Sequence, residues 1–391
     1  MDKPEFTHLA QIGLFSLGDI QSAQTPPMES TTYVVENFDN LPSINNNSLT
    51  RPSSRIFEGL YYGGVDTPTT RQLAARMAAI EKGNFSVLTA SGQNAFHLLL
   101  SATAKPGDHI LVGDTIIYTT QWLLSHFQSY GLDIEYFTPK DALSIRKKLK
   151  PKTKVIIWEN PGAFTYEIID SRAIIESCKN HPAITAVDNT WAASTFYHPL
   201  ELGADVSLVS MSKSHAATEG VSLGALITKR DDVFSILKTT SALIGNHVSS
   251  YACAAALRSI STLGARLTLQ MHTTRLVIDH FKALPLARRV LHPIVQNSKS
   301  DLYEKNYSGF NSIITVQFSC SRDELIARLN QLKIIKIGYG WGGTISLANL
   351  VDTTDMPSAN RLSLNGSCVR FYLGLEDPYD LIKDIKNSFS I

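Results

Sequence analysis

Four short clusters carry residue types that can do chemistry. In Ser210-Met211-Ser212-Lys213-Ser214-His215 a lysine sits among hydroxyls directly after an apolar run. Taken alone it reads as a solvated lysine. Taken out of water, a lysine shifts its pKa readily and can form an imine. Asp188-Asn189-Thr190 follows a second apolar run. A carboxylate there caps a helix, binds a metal or pairs with a buried cation. Ser91-Gly92-Gln93 joins a third apolar run to a helical pattern. Its amides and the helix start can hold a phosphate, although Ser-Gly turns are also ordinary connectors. Asn160-Pro161-Gly162 follows a fourth run. Gly338-Tyr339-Gly340-Trp341-Gly342-Gly343 satisfies G-x-G-x-x-G literally. It lies late in the chain, and residues 344–347 open no amphipathic helix, so it is not expected to be a dinucleotide fingerprint.

The elements around these clusters explain their placement. Residues 67–83 have helical spacing (Leu73, Met77, Ile80), and 86–90 read as a buried strand. Further strands are expected at 109–112, 134–137, 155–158, 185–187, 206–210 and 223–228, with helical patterns at 118–130, 141–150 and 171–180 between them. Strands alternating with helices predict a mainly parallel sheet covered on both faces. In such sheets ligands bind beyond the carboxyl ends of the strands, where the clusters fall. After residue 240 a long helical stretch runs from 249 towards 284, then strands at 313–318, 334–337 and 368–373 and a helix at 378–388. The expected organisation is an irregular N-terminal arm over 1–60, a large domain over 61–240 and a smaller C-terminal α/β domain over 241–391. Residues 1–60 are read as a poor core that lies on another surface.

Composition narrows the function classes. Lys plus Arg number 36 and Asp plus Glu 35, so no basic excess points to nucleic acid. The basic run at 146–154 reads as a solvated helix end. No run of 18 apolar residues predicts a membrane span, and Met1-Asp2-Lys3-Pro4-Glu5 lacks the apolar core of a signal peptide. Cys178, Cys253, Cys320 and Cys368 are too scattered for a metal site and are expected to be reduced thiols in a cytoplasmic protein.

Together the clusters say more than each does singly. A phosphate cradle, an aspartate and a lysine at successive strand ends are what pyridoxal phosphate (PLP) requires. The lysine carries the cofactor as an imine, and the aspartate keeps the pyridine nitrogen protonated so that the ring accepts carbanion electrons. Val187-Asp188-Asn189-Thr190-Trp191-Ala192-Ala193, Pro199-Leu200, Gly203-Ala204-Asp205, Ser212-Lys213, Trp341-Gly342-Gly343 and residues 369–377 stand in one register. In this the chain resembles the Cys/Met metabolism (trans-sulfuration) family of PLP enzymes, most nearly its bacterial cystathionine β-lyases. The resemblance implies PLP fold type I, an aspartate aminotransferase-like α/β fold. Its large domain has a mainly parallel seven-stranded sheet, with a smaller C-terminal α/β domain and a homotetramer built from dimers.

Carried over residue by residue, Lys213 would anchor the cofactor and shuttle protons. Asp188 would pair with the pyridinium nitrogen, Tyr118 would stack on the ring and assist proton transfer, and Asn160 would contact the ring's 3-oxygen. Ser91, Gly92, Gln93, Ser210 and Ser212 would hold the phosphate, joined by Tyr62 from the neighbouring subunit. Arg370 would grip the substrate α-carboxylate, beside Tyr339, Gly340 and Trp341. Three departures stand out. Gly64 occupies the place of a phosphate-clamping arginine. Ser214 and Ala217-Thr218-Glu219-Gly220 replace the usual Tyr and Gly-His-x-Asp. Ile345 replaces a glutamate, which suggests a substrate side chain unlike the polar distal end of cystathionine. The implied activity is β-elimination from a sulfur-containing or related β-substituted amino acid. The alternatives are γ-elimination or γ-replacement, and a member that has lost catalysis.

Overall fold

The computed structural model describes residues 6–40, 62–296, 301–354, 356–364 and 366–389. Seven strands form the large sheet: β1 (Phe85–Thr89), β2 (His109–Gly113), β3 (Asp133–Phe137), β4 (Thr153–Glu159), β5 (Ile184–Asp188), β6 (Val206–Val209) and β7 (Gly224–Thr228). Their order is β1-β7-β6-β5-β4-β2-β3. Only β7 runs antiparallel to its neighbours. Strands β2, β5, β6 and β7 are buried along their whole length. Alternate residues feed opposite cores, as the two-residue period of a strand requires. Leu111, Ile156, Trp158 and Val187 face one core, and Ile110, Val155, Ile157 and Ala186 the other. Burial on both faces is why these strands read as continuous apolar runs.

The helices that start at the strand ends are fixed by caps. α1 (Pro68–Ile80) begins with a proline and a Thr67–Thr70 capping box. α2 (Gly92–Thr103) follows β1, and Ser91 Oγ accepts the Asn94 amide at 3.0 Å. α3 (Tyr118–Ser129) follows β2.

A second sheet has order β8-β9-β12-β11-β10, from β8 (Ala287–Leu291), β9 (Ile313–Phe318), β10 (Lys336–Ile337), β11 (Leu347–Val351) and β12 (Cys368–Tyr372). Its own core includes Ile314, Val316, Val369 and Phe371. Among the described residues no helix is long and apolar enough to cross a membrane.

Several elements differ from expectation. The stretch from 249 to 284 is two helices, Ser250–Ser261 and Leu263–Ala283. Thr262 breaks it, turning its hydroxyl onto the Ser259 carbonyl at 3.0 Å. Residues 141–150 are largely a 3-10 segment, Pro139–Lys148, kinked at Ser144. Strands β8 and β11 went unseen because exposed arginines in one and Asn349 in the other interrupt their apolar pattern.

The N-terminal segment also does more than expected where it is described. Leu9 and Ile12 are buried in the main core, against a helix pair in which Gly264 touches Phe6. Glu29 Oε2 accepts the Ser250 amide at 2.9 Å, and Pro26 O accepts the Thr69 hydroxyl at 2.9 Å. Thus residues 6–30 pack on their own chain, held by two apolar residues one helical turn apart. The expected arm residues 41–60 lie outside the described residues.

Candidate active site

The carboxyl ends of β4, β5 and β6 form the floor of the site. Glu159 ends β4 and Asp188 ends β5, directly paired in the parallel register. Two carboxyls this close cannot both ionise easily in a dry environment. Burial, and then the Asp188 charge, push the Glu159 carboxyl well above the usual range; its Oε2 accepts the Ile117 amide at 2.8 Å. Burial also raises Asp188, but hydrogen bonds from Thr190 and the charge of Lys213 pull it back. The Thr190 amide donates to Asp188 Oδ1 at 2.9 Å. The pair therefore resolves with the proton on Glu159 and the charge on Asp188.

Lys213 lies in the turn after β6. Burial lowers its pKa, the Arg370 charge adds to this, and Asp188 opposes it. Its Nζ sits 5.9 Å from the centre of the Trp341 ring. The backbone is pressed close: a Cβ on Gly342, which has φ +98°, would come within 2.4 Å of the Lys213 carbonyl carbon. Only glycine fits there.

Beside the lysine, the start of α2 meets the β6 turn. A Cβ on Gly92 would fall 2.6 Å from Ser210 Oγ, so the first-turn amides of α2 and the Ser210 hydroxyl share one small cradle. The Ser210 amide is fixed on Thr190 Oγ1 at 2.8 Å. Tyr118 opens α3, its ring stacked 6.0 Å from Phe164. The second sheet supplies Arg370 on β12. Arg370 Nε donates to Asn349 Oδ1 at 3.0 Å, and the guanidinium lies 5.3 Å above the Phe164 ring. Among the described residues no carboxylate is within ion-pairing distance of it. Burial lowers its pKa, while tyrosines and Glu159 oppose this. It stays charged and unpaired, with the fork geometry that carboxylates match bidentately.

Not every expected residue joins this cluster as anticipated. Asn160 is buried, but both of its amide hydrogens are used, on Ile169 O at 3.1 Å and Ser171 Oγ at 3.2 Å, while its Oδ1 accepts the Ile169 amide at 3.0 Å. It pins the 160–171 loop. Ser91 Oγ accepts the Asn94 amide as a helix cap. The Gln93 amide donates to Thr119 O at 2.7 Å. The Ser212 hydroxyl is shared with Leu223 N and O. Tyr62 is 61% exposed and bridges to Thr32, away from the cluster on its own chain. Tyr339, Gly340 and Trp341 lie in the turn between β10 and β11, and no helix follows the glycine-rich motif.

Sequence reasoning missed a buried network under the floor. Glu81, just after α1, accepts Asn189 Nδ2 at 3.1 and 3.0 Å and the Ser207 hydroxyl at 2.8 Å. Ser194 also hydrogen-bonds it, and burial still raises its pKa to about 7. Ser194 Oγ lies 2.8 Å from His215 Nε2. Burial, helped by the Arg266 charge, lowers His215 to about 3. A neutral histidine and a glutamate raised to about 7 thus brace the segments on either side of Asp188 and Lys213. The only hint of this was a glutamate in an otherwise apolar helix end.

An anion cradle, a buried charged aspartate and a desolvated lysine fit PLP, with Gly92 and Gly342 marking where the backbones close around the group. The profile of the Cys/Met metabolism PLP-dependent enzymes matches residues 7–390. The chain belongs to this family. PLP is accordingly its cofactor, and its fold is fold type I. A cystathionine β-lyase of Bordetella avium is 30% identical over 83% of this chain and 82% of its own length. An L-alanine/L-glutamate racemase of Wolbachia pipientis is 27% identical over 94% and 92%. The crystal structure of metB from Corynebacterium glutamicum superposes with a TM-score of 0.87 over 98% of this chain and 97% of that one, at 24% identity, a likeness of fold.

Proposed function

We propose that this family member is a carbon–sulfur lyase. It removes the Cα proton of a β-substituted L-amino acid and expels the sulfur substituent. The balanced reaction is thioether amino acid plus water giving thiol, pyruvate and ammonium. The observation that carries this reading is the pairing of Lys213, a lysine of lowered pKa, with Arg370, a half-buried arginine with no carboxylate partner among the described residues. A relative named cystathionine β-lyase at 30% identity supports the choice of reaction.

Bound PLP supplies an electron sink for the pair left on Cα. The chain's own residues do the rest. Lys213 Nζ would anchor the cofactor and take the Cα proton, and its lowered pKa favours the neutral amine that a base needs. Asp188 keeps its charge because Glu159 holds the shared proton, and it would serve as counter-ion to the ring nitrogen. Arg370 orients the α-carboxylate so that the Cα–H bond points at Lys213. Ser210 and the α2 amides would hold the phosphate. Tyr118 would stack on the ring. Trp341 covers Lys213 and excludes water from it.

The racemase among the relatives favours a second reading, in which the Cα proton is returned instead of the substituent leaving. A γ-synthase of Escherichia coli at 25% identity keeps γ-replacement as the other alternative. All three share the Lys213 step. Purified enzyme given cystathionine, cysteine, O-acetylhomoserine or L-alanine separates them. Pyruvate is the expected product. D-alanine, 2-oxobutyrate or a new thioether, without pyruvate, overturns the lyase reading. We place the large domain over 61–240 and the smaller over 241–391. We also place the enzyme in the cytoplasm as a homotetramer. The exposure of Val34 (92%) and Phe38 (88%) in the N-terminal segment suits such an interface.

A further inference from the structure

We propose that a cavity beside Arg370 receives the substrate's sulfur substituent, and that it selects apolar or aromatic substituents over those ending in a carboxylate. This rests on the lyase reading above. The cavity holds about 550 Å³, within the roughly 300–1,000 Å³ range of small-molecule sites. Tyr118, Trp122, Phe164 and Tyr339 line it, with Met356 and Asp352. It begins where the carboxylate clamp ends: Phe164 is the ring beneath the Arg370 guanidinium, and Asn349, which also lines the cavity, holds Arg370 Nε. A substrate gripped by Arg370 therefore has this space directly beside it.

The rings form a connected wall. Trp122 packs edge-on against Tyr118 at 4.9 Å, and Tyr118 stacks on Phe164 at 6.0 Å. Trp122 (67%) and Tyr339 (79%) leave much of their surface open. Large aromatic faces around a concavity gain most by covering with another apolar group. Among the described residues no lysine, arginine or histidine lines the cavity. Its one acid, Asp352, accepts the Thr354 amide at 3.0 Å and hydroxyl at 2.7 Å, which hold its pKa down and keep it charged. The distal carboxylate of cystathionine would lose water here, find no cation among the described residues and face Asp352, which selects against it.

The test uses the holoenzyme and pyruvate release from S-benzyl-L-cysteine, S-methyl-L-cysteine and L-cystathionine. The expected kcat/KM for the benzyl thioether exceeds that for cystathionine at least about tenfold, a margin in the range of apolar pocket discrimination. Trp122→Ala should lower the benzyl-to-methyl ratio of kcat/KM at least about fivefold. Asp352→Asn, on an exposed position, should raise cystathionine relative to the benzyl substrate about threefold or more. Pyruvate from cystathionine or the methyl thioether with no aromatic preference, or ratios unmoved by both variants, overturns this inference alone. Pyruvate from none of the three overturns the lyase reading and this inference with it.

Discussion

The floor and the wall of the site are built on opposite physical plans. Asp188, Glu81 and His215 are each no more than 5% exposed, and their hydrogen bonds run to one another's neighbours. On the wall, Trp122 and Tyr339 show broad apolar faces to solvent. A dry floor with paired polar groups fixes which atom carries each proton, because misplacing a charge there is costly. An open aromatic wall fixes no charge. It sorts what is allowed to dock. Chemistry is set on one side and choice of substrate on the other, and Arg370, carried by the second sheet, is the link between them.

The largest effect expected from breaking the floor is Lys213→Ala. It should lower kcat by at least about 10³-fold and remove the yellow cofactor band, measured by product formation and absorbance. Asp188→Asn removes only the counter-ion, so kcat should drop by about 10²-fold while KM changes little. Arg370→Lys keeps the charge but loses the fork, and kcat/KM should drop by a similar factor mainly through KM. If Asp188→Asn acted through KM and Arg370→Lys through kcat, the division between floor and wall would collapse.

A smaller effect sharpens the comparison through pH. Glu81, raised to about 7 in the folded chain, favours folding below its unfolded pKa of roughly 4.5, and that stability is lost as pH rises through 7. His215, lowered to about 3, favours folding above its unfolded pKa of about 6.5, and that stability is lost as pH falls towards 3. Between pH 5 and 7 the two trends oppose one another. Relative to the unaltered protein, Glu81→Gln should gain about 2 kcal/mol of stability between pH 5 and 7, and His215→Gln should lose about as much. Urea midpoints at the two pH values check this. Equal slopes in all three proteins would mean that the floor is wetter than its burial indicates.

Much of the floor was legible in the sequence, and the reason is geometric. Asp188 and Lys213 stand directly after or within a few residues of apolar runs, and a run buried on both faces is easy to see. The G-x-G-x-x-G match was rightly set aside, since a strand, not a helix, follows it. Asn160 sits at an equally plausible strand end, but nothing local reveals that its amide is taken by Ile169 and Ser171. Glu81 meets Asn189 and Ser207 more than 100 residues away, a separation that no local pattern spans. The wall was harder to read. Asn349 breaks the alternation of β11, and Trp122 and Phe164 look like ordinary core aromatics until the chain folds around Arg370.

The central claim is that Lys213 anchors the cofactor and is the base of the site. The most direct measurement is borohydride reduction of the purified protein loaded with PLP, followed by peptide mass mapping. The account predicts loss of the yellow band and one reduced pyridoxyl adduct, on Lys213 Nζ. An adduct on another lysine, or a protein that never takes up colour, would contradict it.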